Sequence, residues 1–221
     1  MKISKRQFIW KSIALASLLV SRSYAELFGT AAPDVEAGRQ KAAMCSACHS
    51  ADGISKLPSV PHLAGQQRSY LERALHAYRE GQHRHDLAMT ALAKRLSDAD
   101  IVNIAAFFSS LPRMNTVETT SEPSDQSADV TAGKRRAAVC FACHSPNGIS
   151  KVTGIPYLAG QHRKYLSDAL HGYRDGGSRD DLTMTSMAAP LSDRDIANVT
   201  AYFSSLKVIS KEAERQNTDS R

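Results

Sequence analysis

From Tyr70 onward, the apolar residues Leu71, Ala74, Leu75 and Tyr78 recur at helical spacing, and Gly81 stands where such a helix would end. A second apolar run, Ile101, Ile104, Ala105 and Phe108, follows Ser97 and Asp100, a pair with the spacing of a capping box. A shorter helix is expected to begin near Asp34 and run into Cys45. No stretch alternates with the two-residue period of a strand. The pattern predicts an all-α chain.

The same pattern then returns. Cys140 follows Cys45 by 95 positions, and that offset also relates Gly38 to Gly133, Pro61 to Pro156, Tyr70 to Tyr165, Met89 to Met184 and Leu111 to Leu206. Across this span about three positions in five are identical without a gap, which marks a tandem duplication. Helices matching those of the first copy are expected through Leu166, Ala169, Leu170 and Tyr173, and after the Ser192 and Asp195 pair. We divide the chain into a first domain at residues 26–111, a polar linker at 112–130, a second domain at 131–206 and a polar tail at 207–221.

Residues 1–25 read as an export signal: Lys2, Lys5 and Arg6, an apolar stretch from Ile13 to Val20, then Ser23-Tyr24-Ala25 as a cleavage site. Ser4-Lys5-Arg6-Gln7-Phe8 looks like a relaxed twin-arginine signal. The mature chain would begin at Glu26, in the periplasm. The signal holds five basic and no acidic residues, so the formal charge of +6 falls to +1 once it is removed. What remains has no basic stripe with interleaved aromatics, so nucleic acid is excluded as a partner.

All four cysteines lie in two pentapeptides, Cys45-Ser46-Ala47-Cys48-His49 and Cys140-Phe141-Ala142-Cys143-His144. C-x-x-C-H is the attachment sequence of c-type haem. On one helical turn the two thiols project to one side, where they can add to the two vinyl groups of a porphyrin, and the adjacent histidine can reach the iron. Structural zinc fits poorly, because zinc ribbons space their cysteine pairs by about 15 to 20 residues. A thioredoxin-like pair would want a βαβ setting, and simple disulfides would leave both histidines unexplained. Two covalent haem c groups also answer a packing problem. A repeat of about 75 residues with few aromatics has a marginal core of its own.

His49 and His144 are the expected iron ligands on one side. For the other side, only Met89 and Met184 of the mature chain's methionines correspond between the copies, each in a polar, loop-like stretch before the last helix. Met44 faces Val139, Met187 faces Leu92 and reads as core, and Met114 falls in the linker. His62, His83, His85 and His162 have no counterparts and read as surface residues. His76 and His171 do match; a half-buried structural role is preferred over iron or propionate binding. His/Met ligation leaves no iron position for a substrate, so no catalytic residue is assigned.

At these residues the chain resembles the class I cytochromes c, and specifically the di-haem cytochrome c4 family, over almost its whole mature length. The resemblance implies two cytochrome c domains facing each other across a pseudo-twofold, with propionates near the interface. It implies that the Pro61 and Pro156 carbonyls orient His49 and His144, and that Gly38 and Gly133 let the first helix approach the last. It also implies a carrier passing electrons in a respiratory chain towards a terminal oxidase. The partners expected are redox proteins, either a membrane cytochrome complex or oxidase or a periplasmic dehydrogenase, with room for peripheral membrane association and no small-molecule substrate. The alternatives are a subunit accepting electrons from a sulfide- or thiosulfate-oxidising flavoenzyme, and a haem enzyme such as a peroxidase.

Overall fold

A computed structural model describes residues 32–113 and 128–207. The export signal and its cleavage site, Met114 with most of the linker, and the tail beyond Lys207 lie outside the described residues.

Each half starts with a helix running into its cysteines. In the first half, Val35–Lys41 (α1) passes through a 3-10 turn, Ala42–Cys45, into Ser46–His49 (α2), and Arg68–Glu80 (α3), Leu87–Ala93 (α4) and Asp98–Ser110 (α5) follow. The second half repeats the order with Val130–Arg136 (α6), a 3-10 turn at Ala137–Cys140, Phe141–His144 (α7), Arg163–Arg174 (α8), Leu182–Ala188 (α9) and Asp193–Ser205 (α10). Among the described residues there is no strand, only an isolated antiparallel bridge between Arg84 and Arg179. No helix among them is long and apolar enough to cross a membrane.

The expected capping boxes are present. Ser97 Oγ accepts from Asp100 N–H while the Asp100 carboxylate accepts from Ser97 N–H, and Ser192 and Asp195 repeat the exchange. They fix the start of the last helix, whose apolar face builds the core. Ile101, Ile104, Ala105 and Phe108 join Leu71 and Leu96 in the first half, and Val199, Tyr202 and Phe203 join Leu166 in the second.

The first helix is tied to the last in two ways. Asp34 N–H donates to Asn103 Oδ1 at 2.9 Å, and Asp129 N–H donates to Asn198 Oδ1 at 2.8 Å. One turn further on, Gly38 and Gly133 lie against the backbone of those same asparagines.

The two halves also meet each other. Equivalent segments run antiparallel, His85 N–H donating to Ser178 O and Asp180 N–H to His83 O, both at 2.8 Å. Pairing of equivalent residues head to tail is what an approximate twofold produces. The flanking contacts break that symmetry. Gln67 Nε2 donates to Val152 O and Ile155 O, whereas its counterpart His162 places Nε2 2.9 Å from Ser55 O.

This corrects the reading of two histidines as surface residues. His162 is buried, and its ring centroid lies 4.1 Å from that of half-buried His62. The symmetry partner of each residue is not its contact partner, so comparing repeats could not show the pairing. His83 and His85 are exposed as expected.

Candidate functional site

The two cysteine segments follow the same backbone course, a 3-10 turn leading into a single helical turn. Cys45 closes the 3-10 turn and packs against the first core cluster, while Cys48 is exposed one turn on; Cys140 and Cys143 are placed likewise, and no disulfide joins any of the four. Burial raises the Cys45 thiol to about 11, with Cys48 adding to the effect, and burial raises Cys140 too.

His49 and His144 end these turns, each only 6% exposed. Each places Nδ1 3.0 Å from a proline carbonyl, His49 on Pro61 and His144 on Pro156. A carbonyl can only accept, so Nδ1 carries the hydrogen and Nε2 keeps its lone pair. Burial holds both imidazoles below their ordinary pKa, partly offset by the proline carbonyl, and so favours this neutral form. The chain then leaves each histidine through a strained residue: Ser50 and Ser145 take φ of 62° and 63°.

Two further residues shape the turn and escaped the sequence reading. Ser55 and Ser150, both buried, donate from Oγ to the carbonyls of Cys48 and Cys143 at 2.9 and 2.6 Å. The identity of Ile54-Ser55-Lys56 with Ile149-Ser150-Lys151 was the available signal.

Met89 and Met184 are half-buried and sit on short helices, α4 and α9, not in loops. Asp86 and Asp181 cap these helices, accepting from the Met89 and Met184 N–H groups at 2.9 and 3.0 Å. These helices are short and their leading leucines, Leu87 and Leu182, face solvent, so no apolar stripe marks them. Met187 is 44% exposed rather than core, because α9 turns Ala188 inward instead.

His76 and His171 are half-buried on the middle helices, and each Nδ1 accepts from an arginine, Arg79 or Arg174, at 3.0 Å. Those arginines also reach Asp98 and Asp193, tying the middle helix to the start of the last.

Beside the twofold lie Arg84, buried, and Arg179, half-buried. Arg84 Nη2 donates to Tyr70 Oη at 2.9 Å and Arg179 Nη2 to Tyr165 Oη at 3.3 Å, and each guanidinium also lies over the faces of two tyrosine rings. Burial pushes the Tyr70 phenol up, but the Arg84 and Arg179 guanidiniums outweigh it and leave it below its ordinary value. Among the described residues neither arginine pairs with a carboxylate.

Each half thus offers two thiols on one turn, an imidazole with a free Nε2 and a sheltered cation without an acidic partner. That donor set fits a haem, which brings vinyl groups, iron and carboxylates of its own. A helical tandem built on such sites is a di-haem c-type cytochrome.

Comparison with known proteins agrees. The family model described as Cytochrome c matches residues 35–112 and 130–207. Cytochrome c4 of Pseudomonas aeruginosa is 39% identical over 198 residues, covering 87% of this chain and 98% of its own. The crystal structure of reduced recombinant cytochrome c4 from Pseudomonas stutzeri superposes with a TM-score of 0.68 at 34% identity, covering 79% of this chain and all of that one. A thiosulfate dehydrogenase electron acceptor of Stutzerimonas stutzeri is 29% identical over 206 residues, covering 89% of this chain and 94% of its own. The chain belongs to the cytochrome c family and, within it, to the di-haem cytochromes c4. It carries two covalent haem c groups, at Cys45 and Cys48 and at Cys140 and Cys143, and acts as an electron carrier.

Proposed function

We propose that the chain is a periplasmic carrier that moves electrons between respiratory redox proteins, towards a terminal oxidase. His49 and Met89 ligate the iron of the first haem, His144 and Met184 that of the second. Bound haem supplies one-electron Fe(III)/Fe(II) cycling at each site.

The observation that carries this reading is the bond from each histidine Nδ1 to a proline carbonyl, which commits the ring to the tautomer that can ligate through Nε2. The cap at Asp86 or Asp181 sets the backbone of the methionine to one orientation. Sulfur on the remaining side of the iron closes it to small molecules, so the reading of a peroxidase-like enzyme is the weaker one. The export signal at residues 1–25 supports the periplasmic location, and the segmentation into domains at 26–111 and 131–206 follows the repeat.

The relative named as a thiosulfate dehydrogenase electron acceptor favours a second reading, in which electrons enter from a periplasmic dehydrogenase. Stopped-flow mixing separates the two. Rapid reoxidation of the reduced protein by oxidase-containing membranes supports the first. Reduction by a thiosulfate dehydrogenase with thiosulfate, together with slow reoxidation by those membranes, supports the second.

A further inference from the structure

Each half of the molecule grips the histidine-orienting peptide of the other half through one buried glutamine. Gln66 Oε1 accepts from Tyr157 N–H at 2.8 Å, and its Nε2 donates to Tyr157 O at 3.1 Å. Gln161 does the same to His62, at 2.9 and 3.0 Å. The glutamines are only 7% and 6% exposed. Each Oε1 also accepts from the N–H of the next residue, Gln67 or His162, so its position is fixed from its own domain.

The residues gripped follow Pro156 and Pro61 directly. The N–H of Tyr157 and the carbonyl of Pro156 therefore belong to one peptide group. His144 Nδ1–H donates to that group's oxygen, and its N–H donates to Gln66 Oε1. A continuous run of two hydrogen bonds through one peptide links the histidine of the second domain to the first domain, and Gln161 with His49 forms the reciprocal run. Hydrogen bonds in such chains polarise one another. Donation by the peptide N–H makes its carbonyl a better acceptor, which in turn makes the imidazole a stronger electron donor.

We propose that Gln66 and Gln161 are positioning residues acting across the interface: Gln66 tunes the haem held by His144, and Gln161 the haem held by His49. This rests on the reading of those histidines as iron ligands. The polarised imidazole favours Fe(III), so loss of the glutamine acceptor raises the potential of the opposite haem. It also gives each redox site a physical link to the docking of the other domain.

The test uses the full holoprotein with Gln66→Leu, Gln161→Leu and Gln66→Glu, followed haem by haem in an NMR-monitored redox titration. Gln66→Leu is expected to raise the reduction equilibrium constant of the second haem by up to about tenfold, equivalent to 59 mV for one electron, and to leave the first unchanged. Gln161→Leu is expected to do the reverse. Gln66→Glu retains the acceptor for Tyr157 N–H and is expected to bring the second haem back to or below its original potential. In the reduced protein, the Nδ1 proton of His144 is expected to shift in Gln66→Leu while that of His49 stays. Shifts of both haems together in either leucine variant, a shift of the haem in the variant's own domain, or no shift, would overturn the proposal. Failure of the ligand reading is seen separately, as an unmodified protein whose His49 and His144 ring protons lack the large ring-current shifts of haem-bound imidazole.

Discussion

Gly38 lies so close to Asn103 that a Cβ on residue 38 would stand 2.0 Å from the asparagine carbonyl oxygen, and Gly133 meets Asn198 at the same distance. The obstacle is backbone, which cannot swing aside. Gly38→Ala and Gly133→Ala are each expected to cost about 3 kcal/mol and to lower the thermal midpoint of the affected domain by roughly 10 °C or more. Calorimetry on the holoprotein reads this directly. Unchanged midpoints would mean that the helices part without penalty.

Backbone strain beside the haem-bearing turns gives an opposite expectation. Ser50 has φ 62° and ψ 157°, and Ser145 has φ 63° and ψ 153°, a region that only glycine enters freely. Ser50→Gly and Ser145→Gly are expected to stabilise their domains by about 1 kcal/mol, relief of strain exceeding the extra freedom glycine gains when unfolded. Urea midpoints that fall instead would count against strain at this position.

The helices, the repeat and the cysteine turns were legible in the sequence because each is coded locally. Ser97 with Asp100 and Ser192 with Asp195 announce helix starts within four residues, and two C-x-x-C-H segments announce their cofactor. The helix at Leu87–Ala93 was missed because it is short, with Leu87 94% exposed, so no apolar stripe marks it. The domain interface was illegible for another reason. Gln66 and Gln161 match between repeats and look like ordinary polar loop residues, yet each meets the other half of the molecule. His62 and His162 do not match, yet their rings lie in tilted contact. Sequence periodicity reports what each domain does alone.

Acid is expected to weaken the start of both last helices. Bonds from Ser97, its backbone N–H foremost, hold Asp100 below its ordinary pKa, and bonds from Ser192, its hydroxyl foremost, do so for Asp195. A carboxyl that is more acidic when folded contributes stability fully above the unfolded value and loses it as pH falls through the folded one. Urea midpoints are therefore expected to be flat from pH 7 to about 5 and to drop below about pH 4. Asp100→Asn with Asp195→Asn should lower the plateau and flatten the drop, and an equally steep drop in that double variant would place the acid lability elsewhere.

Methionine at the iron leads to a site-by-site expectation. Met89→Ala is expected to halve the weak near-infrared band of the ferric protein, to open the first haem to cyanide and to lower its potential, with the second haem unaffected. Met184→Ala should mirror this. A full band in either variant would remove that residue from the iron.

The most direct test of the account is a redox titration of the unmodified holoprotein followed through that near-infrared band. Two closed His/Met haems predict a band of two-haem intensity that disappears in two one-electron steps and does not change when cyanide is mixed in rapidly. A missing or half-sized band, or cyanide binding on mixing, would contradict it.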